Sequence, residues 1–152
     1  MNVDLLKSKL DKNTTLILGD VKQTVSDFLS KATPENPIAY VVLDLDLYTS
    51  SRDALAIFLG DPKLYLPTVY MYVDDIDEFR HSTYCGEELA ISEFNKDQQL
   101  RKIEPFTFIK TQRVCKNAKW LHKIFKVQIF DHPIFSTELT SKNKVIKNPF
   151  LS

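Results

Sequence analysis

Apolar residues recur along this chain with a period that changes from segment to segment. Val3, Leu6 and Leu10 fall on one face of a helix, so Met1–Leu10 is expected to be a short amphipathic helix. Thr14–Leu18 (TTLIL) is a compact β-rich run that predicts a strand, closed by Gly19-Asp20. Val21, Val25, Phe28 and Leu29 return to helical spacing, and Pro34 and Pro37 end that helix. Ile38–Leu47 is almost continuously apolar apart from two aspartates, the pattern of a strand buried on both faces inside a parallel sheet. Ser50 and Asp53 form an S-x-x-D helix-start signal, with Ala54, Leu55, Phe58 and Leu59 as the buried stripe and Gly60 as the stop.

Thr68–Val73 (TVYMYV) predicts the next strand, which runs directly into Asp74-Asp75. Gly86–Asn95 predicts a helix anchored by Leu89, Ala90 and Phe94. Ile103–Ile109 and Trp120–Phe130 predict two strands, the second with Phe125, Val127 and Ile129 alternating. The resulting order is α-β-α-β-α-β-α-β-β. Such alternation implies an α/β fold with a mainly parallel sheet and a final antiparallel pair at one edge. One domain over residues 1–132 is expected, followed by a polar, Lys-rich tail over 133–152.

Composition narrows the function classes. Twenty basic residues balance twenty acidic ones, so no global field draws the chain to nucleic acid. The basic loop with Lys110, Arg113, Lys116 and Lys119 has no interleaved aromatic platform and reads as a solvated turn. Charge interrupts every apolar run before membrane-spanning length, and the start lacks a signal-like layout, so a cytoplasmic protein without membrane contact is expected. Cys85 and Cys115 match no zinc or redox spacing. The chain has only three glycines, a scarcity that bears on cofactor binding because phosphate- and nucleotide-binding loops use glycine for close backbone approach.

The candidate chemistry lies in the aspartates. Asp44 and Asp46 are two apart at the end of one strand and project to one side; Asp74 and Asp75 end the next strand. If those strands are parallel neighbours, the carboxylates meet at the carboxyl edge, where open α/β sheets place their ligands. Crowded carboxylates repel unless a cation compensates, and short Asp side chains with waters suit magnesium. The bland reading is that Asp-Asp after a strand is a solvated turn or a helix cap.

The stretches YVVLDLDLYTSSRDAL (Tyr40–Leu55), VYMYVDDID (Val69–Asp77) and GEELAISEF (Gly86–Phe94) resemble the macrocin O-methyltransferase family, and LILGDVKQTVSDFL (Leu16–Leu29) resembles the segment that precedes them there. That resemblance covers about Leu16 to Phe94. It implies a Rossmann-like methyltransferase fold that transfers a methyl group from S-adenosylmethionine to a hydroxyl on a small-molecule acceptor, with a divalent metal. It further implies that Asp44, Asp74 and Asp75 are metal ligands for Mg2+, that Asp46 is the general base, and that Asp20 lies near the cofactor adenine. His81 is a weaker candidate base.

The chain departs from that family at its start. Members begin with a strand, a glycine-containing turn and a helix that hold the cofactor, and two missing βα units amount to about 60 further residues. Gly19, Gly60 and Gly86 are too far apart to form that loop. The expectation is therefore a truncated fold, a fragment or a descendant that lost its first third, with S-adenosylmethionine binding in doubt. Thr14–Leu18 is then expected to close up beside the Ile38 strand, or a homodimer to cover the exposed edge. Two other functions fit the aspartates: a haloacid-dehalogenase-type phosphatase with Asp44 as nucleophile and Asp46 as acid, and a non-catalytic interaction module.

Overall fold

Phe125, Val127 and Ile129 are buried while Ile124, Lys126 and Gln128 between them are half-buried, so the alternation read from the sequence is realised in a strand of the computed structural model. The structure describes residues 2–76, 82–112, 117–136, 139–141 and 144–146. Its main sheet has four strands, β1 (Ile38–Leu43), β2 (Tyr65–Val73), β3 (Arg101–Pro105) and β4 (Ile124–Ile129), in spatial order β1-β2-β4-β3. Among the described residues, short strands β5 (Leu139–Ser141) and β6 (Lys144–Ile146) pair with each other alone.

The architecture is α/β with an open mixed sheet, but the expected parallel majority is corrected. One pairing, β1 with β2, is parallel; β2 with β4 and β3 with β4 are antiparallel. The cause is insertion. β4 returns between β2 and β3 instead of adding outside them, so the one reversed strand contributes two antiparallel ladders.

Three helices line one face. They are α2 (Val21–Leu29), α3 (Tyr48–Leu55) and α4 (Gly86–Asp97), and α3 packs against both of the others. Leu55, Ala90, Ile91 and Phe94 from these helices, with Phe58 just beyond α3, meet Leu43, Val69, Met71, Val73, Ile103, Phe125, Val127 and Ile129 in one core. Full burial of such side chains stabilises by about 1.5–3 kcal/mol each. On the opposite face, Tyr40, Val42, Thr68, Tyr70, Tyr72, Lys126 and Gln128 are all half-buried or exposed. These three helices lie on one side of the sheet, while Phe106, next to Phe108 at the start of α5 (Phe108–Gln112), sits against Tyr70 on the other. Connections between parallel strands are right-handed, so the helices crossing from β1 to β2 and from β2 to β3 fall on the same side.

Two internal joints brace this layer. Arg101, buried at the start of β3, donates through Nε and Nη2 to the two carboxylate oxygens of Asp131 at 3.2 and 2.8 Å and through Nη1 to the Phe58 carbonyl. Its guanidinium also lies 5.3 Å from the centre of the Tyr65 ring. The Tyr65 hydroxyl donates to the Ile57 carbonyl and accepts the Gly60 N–H, each at 2.7 Å, which ties the turn after α3 to β2. A Cβ at Gly60 would stand 2.7 Å from that hydroxyl, so glycine is needed there for space.

Several expected boundaries shift. Among the described residues Thr14–Leu18 forms no strand and joins no ladder, and it is mostly exposed. It forms no ladder with β1, although Ile17 shares a groove with Ile38, Tyr40 and Val41 of that strand. Leu16 alone in that run is half-buried, too little apolar area to draw it into a ladder. β1 stops at Leu43, so Asp44 lies just past its end and Asp46 in the following turn. Helix α3 starts at Tyr48 with Leu47 as cap and no side-chain cap bond; Ser51 instead donates to the Leu45 and Leu47 carbonyls, and Asp53 pairs with Arg52 at 2.8 Å. The Ile103–Ile109 run ends as a strand at Pro105 and continues into α5 (Phe108–Gln112), while Lys119–Lys123 forms a 3-10 turn before β4. The N-terminal helix is shorter than expected, α1 over Val3–Lys7. Among the described residues no helix is long and apolar enough to cross a membrane.

Candidate functional site

The two acidic strand ends do come together at one edge of the sheet. β1 and β2 are parallel neighbours with Leu43 opposite Val73, so Asp44 and Asp74 follow at the same level. The Asp74 N–H continues the ladder, donating to the Leu43 carbonyl at 2.9 Å. Asp44 and Asp46 are exposed; Asp74 and Asp75 are half-buried. This is the carboxyl edge, where the loops rather than the sheet supply the ligand contacts in open α/β folds.

Asp74 is held by neighbours. The Tyr72 hydroxyl donates to its Oδ1 at 2.9 Å, and Lys123 Nζ reaches both its carbonyl oxygen and, at 3.4 Å, its carboxylate. The Tyr72 hydrogen bond and then the Lys123 ammonium hold this carboxyl below its ordinary value, against the opposing effect of burial. Lys123 thus supplies, from the turn before β4, a positive charge that the sequence reading assigned to no role.

The residue that joins the two strand ends is Glu87. It lies in the first turn of α4 and is completely buried. Its Oε1 accepts the N–H of Leu45 at 3.3 Å and its Oε2 accepts the N–H of Asp75 at 2.9 Å. Burial pushes its carboxyl up to about 7, with the charges of Asp75 and Asp74 adding and the two backbone hydrogen bonds opposing. Sequence reasoning took GEELAISEF as helix and resemblance alone. The local signal was the Glu87-Glu88 pair in the first turn, where acidic residues favour the helix dipole; nothing in it indicated burial.

Whether these residues fit a divalent cation can be tested on their partners. Among the described residues no group of three or more His, Cys, Asp or Glu side chains is arranged to hold a metal ion. Asp74 is shared between an ammonium and a phenol, and Glu87 faces backbone amides. As they stand, Asp44, Asp74 and Asp75 share an edge without forming the ligand set that the resemblance implies. Asp20 is the N-cap of α2, its carboxylate accepting the Lys22 N–H at 2.9 Å, which by itself accounts for an Asp at that position. Gly19, with φ +147°, immediately precedes it. His81, Asp77 and Cys115 lie outside the described residues.

A cavity of about 490 Å3 opens just beyond the Asp pair, between α4 and the facing ends of β3 and β4. Ile76, Ile91, Ile103 and Phe125 make its apolar walls, and Glu88 and His122 are among its polar contributors. A pocket of this size and lining suits a small organic molecule. Comparison with known proteins returns no match: no family model, no curated protein and no solved structure matches the chain.

Proposed function

We propose that this chain carries the acceptor side of an O-methyltransferase-like domain of Rossmann-like fold, in which the acidic edge of β1 and β2 presents a hydroxyl-bearing small molecule and the methyl-donor side is supplied from elsewhere. The observation that carries the reading is the parallel register of Leu43 with Val73, which puts two acidic strand ends side by side next to an apolar pocket. The resemblance in Tyr40–Leu55, Val69–Asp77 and Gly86–Phe94 supplies the reaction class.

In this reading Asp46 takes the proton from the acceptor hydroxyl. It is exposed in the turn after β1, within the same edge as Asp44 and free to approach a bound molecule. The pocket beyond Ile76 holds the apolar body of that molecule and orients its hydroxyl toward the edge. Glu87 fixes the backbone of Leu45 and Asp75, so both loops that present the aspartates are set by one carboxylate. Magnesium and S-adenosylmethionine enter no step of this reading.

Amide-resolved NMR tests the reading with catechol as a vicinal-diol probe. Catechol is expected to shift residues 44–48 and 74–76 in the parent and much less in Asp46→Asn. Shifts confined to other parts of the chain would count against it. Calorimetry with S-adenosylmethionine is expected to give little heat; tight binding would overturn the division into acceptor and donor sides. Hydrolysis of an aryl phosphate that Asp44→Asn abolishes would replace the proposal with the phosphatase reading.

A further inference from the structure

The two edges of the main sheet are built differently. The β3 edge carries Arg101, Lys102 and Glu104 and ends in Pro105, the charges and proline that discourage a further strand from adding. The β1 edge reads IAYVVL, with neither charge nor proline, and no described residue forms a ladder on the side away from β2. Tyr40 and Val42 are 53% and 58% exposed there. An uncharged strand of β-branched and aromatic residues with open backbone groups is a template for pairing.

A groove of about 560 Å3 runs along that edge. Val25 and Phe28 of α2 line one side, Ile38, Tyr40 and Val41 the other, and Ile17 also lines it. None of its lining residues is charged. The groove therefore selects an occupant that is itself uncharged, apolar and extended, because a charged strand would lose its hydration with nothing to replace it.

We infer that β1 is a dimerisation edge, and that a second copy of this chain pairs its β1 with the first, antiparallel about a two-fold axis. Of the two edge strands of the main sheet, β1 is the one that itself has this chemistry, because the β3 edge is charged and ends in proline. A two-fold arrangement satisfies both open edges at once, which is the self-complementarity an isologous interface needs. The paired strands join two four-stranded sheets into one continuous sheet. Tyr40 and Val42 of the two copies then lie on the same face and cover one another, and no charge opposes another across the axis. The inference does not depend on what the acidic edge binds.

Light scattering coupled to size exclusion tests it on the full chain, at tens to hundreds of micromolar. The expected mass is twice the 17.6 kDa of the chain. Val42→Lys, at an exposed position, places like charges near each other across the axis and is expected to weaken the dimer by about tenfold or more, with an unchanged circular dichroism spectrum. Hydrogen exchange supplies a readout without any substitution: the β1 amides that face away from β2 are expected to slow as concentration rises. A monomer at every concentration overturns the inference, whether those amides exchange fast or are covered by another part of the chain. So does a dimer whose β1 amides stay unprotected.

Discussion

Glu87 Oε2 lies 2.9 Å from the backbone nitrogen of Asp75 and accepts its hydrogen, across twelve residues of chain. The other oxygen holds Leu45, so a single carboxylate from α4 sets the loops that follow β1 and β2. Each acidic strand end is positioned by a residue that sequence reading never placed near it.

Removal of that carboxylate is expected to be costly. Glu87→Ala leaves two backbone N–H groups without their acceptor, and each buried orphan costs about 1–3 kcal/mol. Urea unfolding is expected to show a loss of about 2–4 kcal/mol. Glu87→Gln, which keeps one acceptor oxygen, is expected to lose less. An Ala variant within about 0.5 kcal/mol of the parent would mean the bonds carry no weight.

The same residue sets a pH dependence with a definite sign. Its folded value of about 7 lies above the ordinary 4.5, so the fold favours the protonated form. The stability it contributes is complete below the unfolded value and is lost as pH rises from there through 7. The shift corresponds to about 3 kcal/mol at most. Asp74 and Glu104 are shifted down, by the Tyr72 hydroxyl and the Lys126 ammonium first, so their contributions are lost instead at acid pH. Denaturation midpoints are expected to fall between about pH 5.5 and about pH 8.5 in the parent, and to stay flat over that window in Glu87→Gln. A parent curve that rises over the window would refute the assignment.

Arg101 is a buried charge paired with Asp131 at 2.8 Å. Asp131→Ala leaves the guanidinium with only the Phe58 carbonyl and the Tyr65 ring. The expected loss is about 3 kcal/mol, or roughly 6–12 °C in the thermal midpoint. Arg101→Lys is not expected to preserve stability, because an ammonium cannot span both carboxylate oxygens and the carbonyl. Calorimetric melting of both variants measures this; a midpoint unchanged in Asp131→Ala would show the pair to be energetically idle.

Lys123 competes for the carboxylate that a cation at this edge would need. Lys123→Met is expected to raise magnesium affinity about two- to fivefold, the scale of a partly exposed ion pair. Titration with magnesium chloride, followed by the amides of residues 44–48 and 74–76, reads the change. Unaltered or weaker affinity would count against the acidic edge as a place for a cation.

Periodicity placed most of the architecture. The alternation of Phe125, Val127 and Ile129 marked β4, and the apolar run from Ile38 marked β1, since a strand's side-chain period is written in its own residues. Asp44 and Asp74 could be placed at strand ends for the same reason. Thr14–Leu18 shows where this stops. Its residues favour a strand, yet among the described residues it joins no ladder, and nothing local to the run decides that.

By its own pattern, the sequence determined an α/β chain with helices between strands and aspartates at the ends of β1 and β2. Only the tertiary structure decided that β4 slots between β2 and β3, that Glu87 joins the acidic loops, that Lys123 claims Asp74, and that the uncharged strand β1 lies at an edge of the sheet. The physical reason is range. Strand and helix periods arise between residues a few positions apart, whereas the buried carboxylate, the ion pair and the edge position of β1 depend on which distant segments meet, and no local period encodes that meeting.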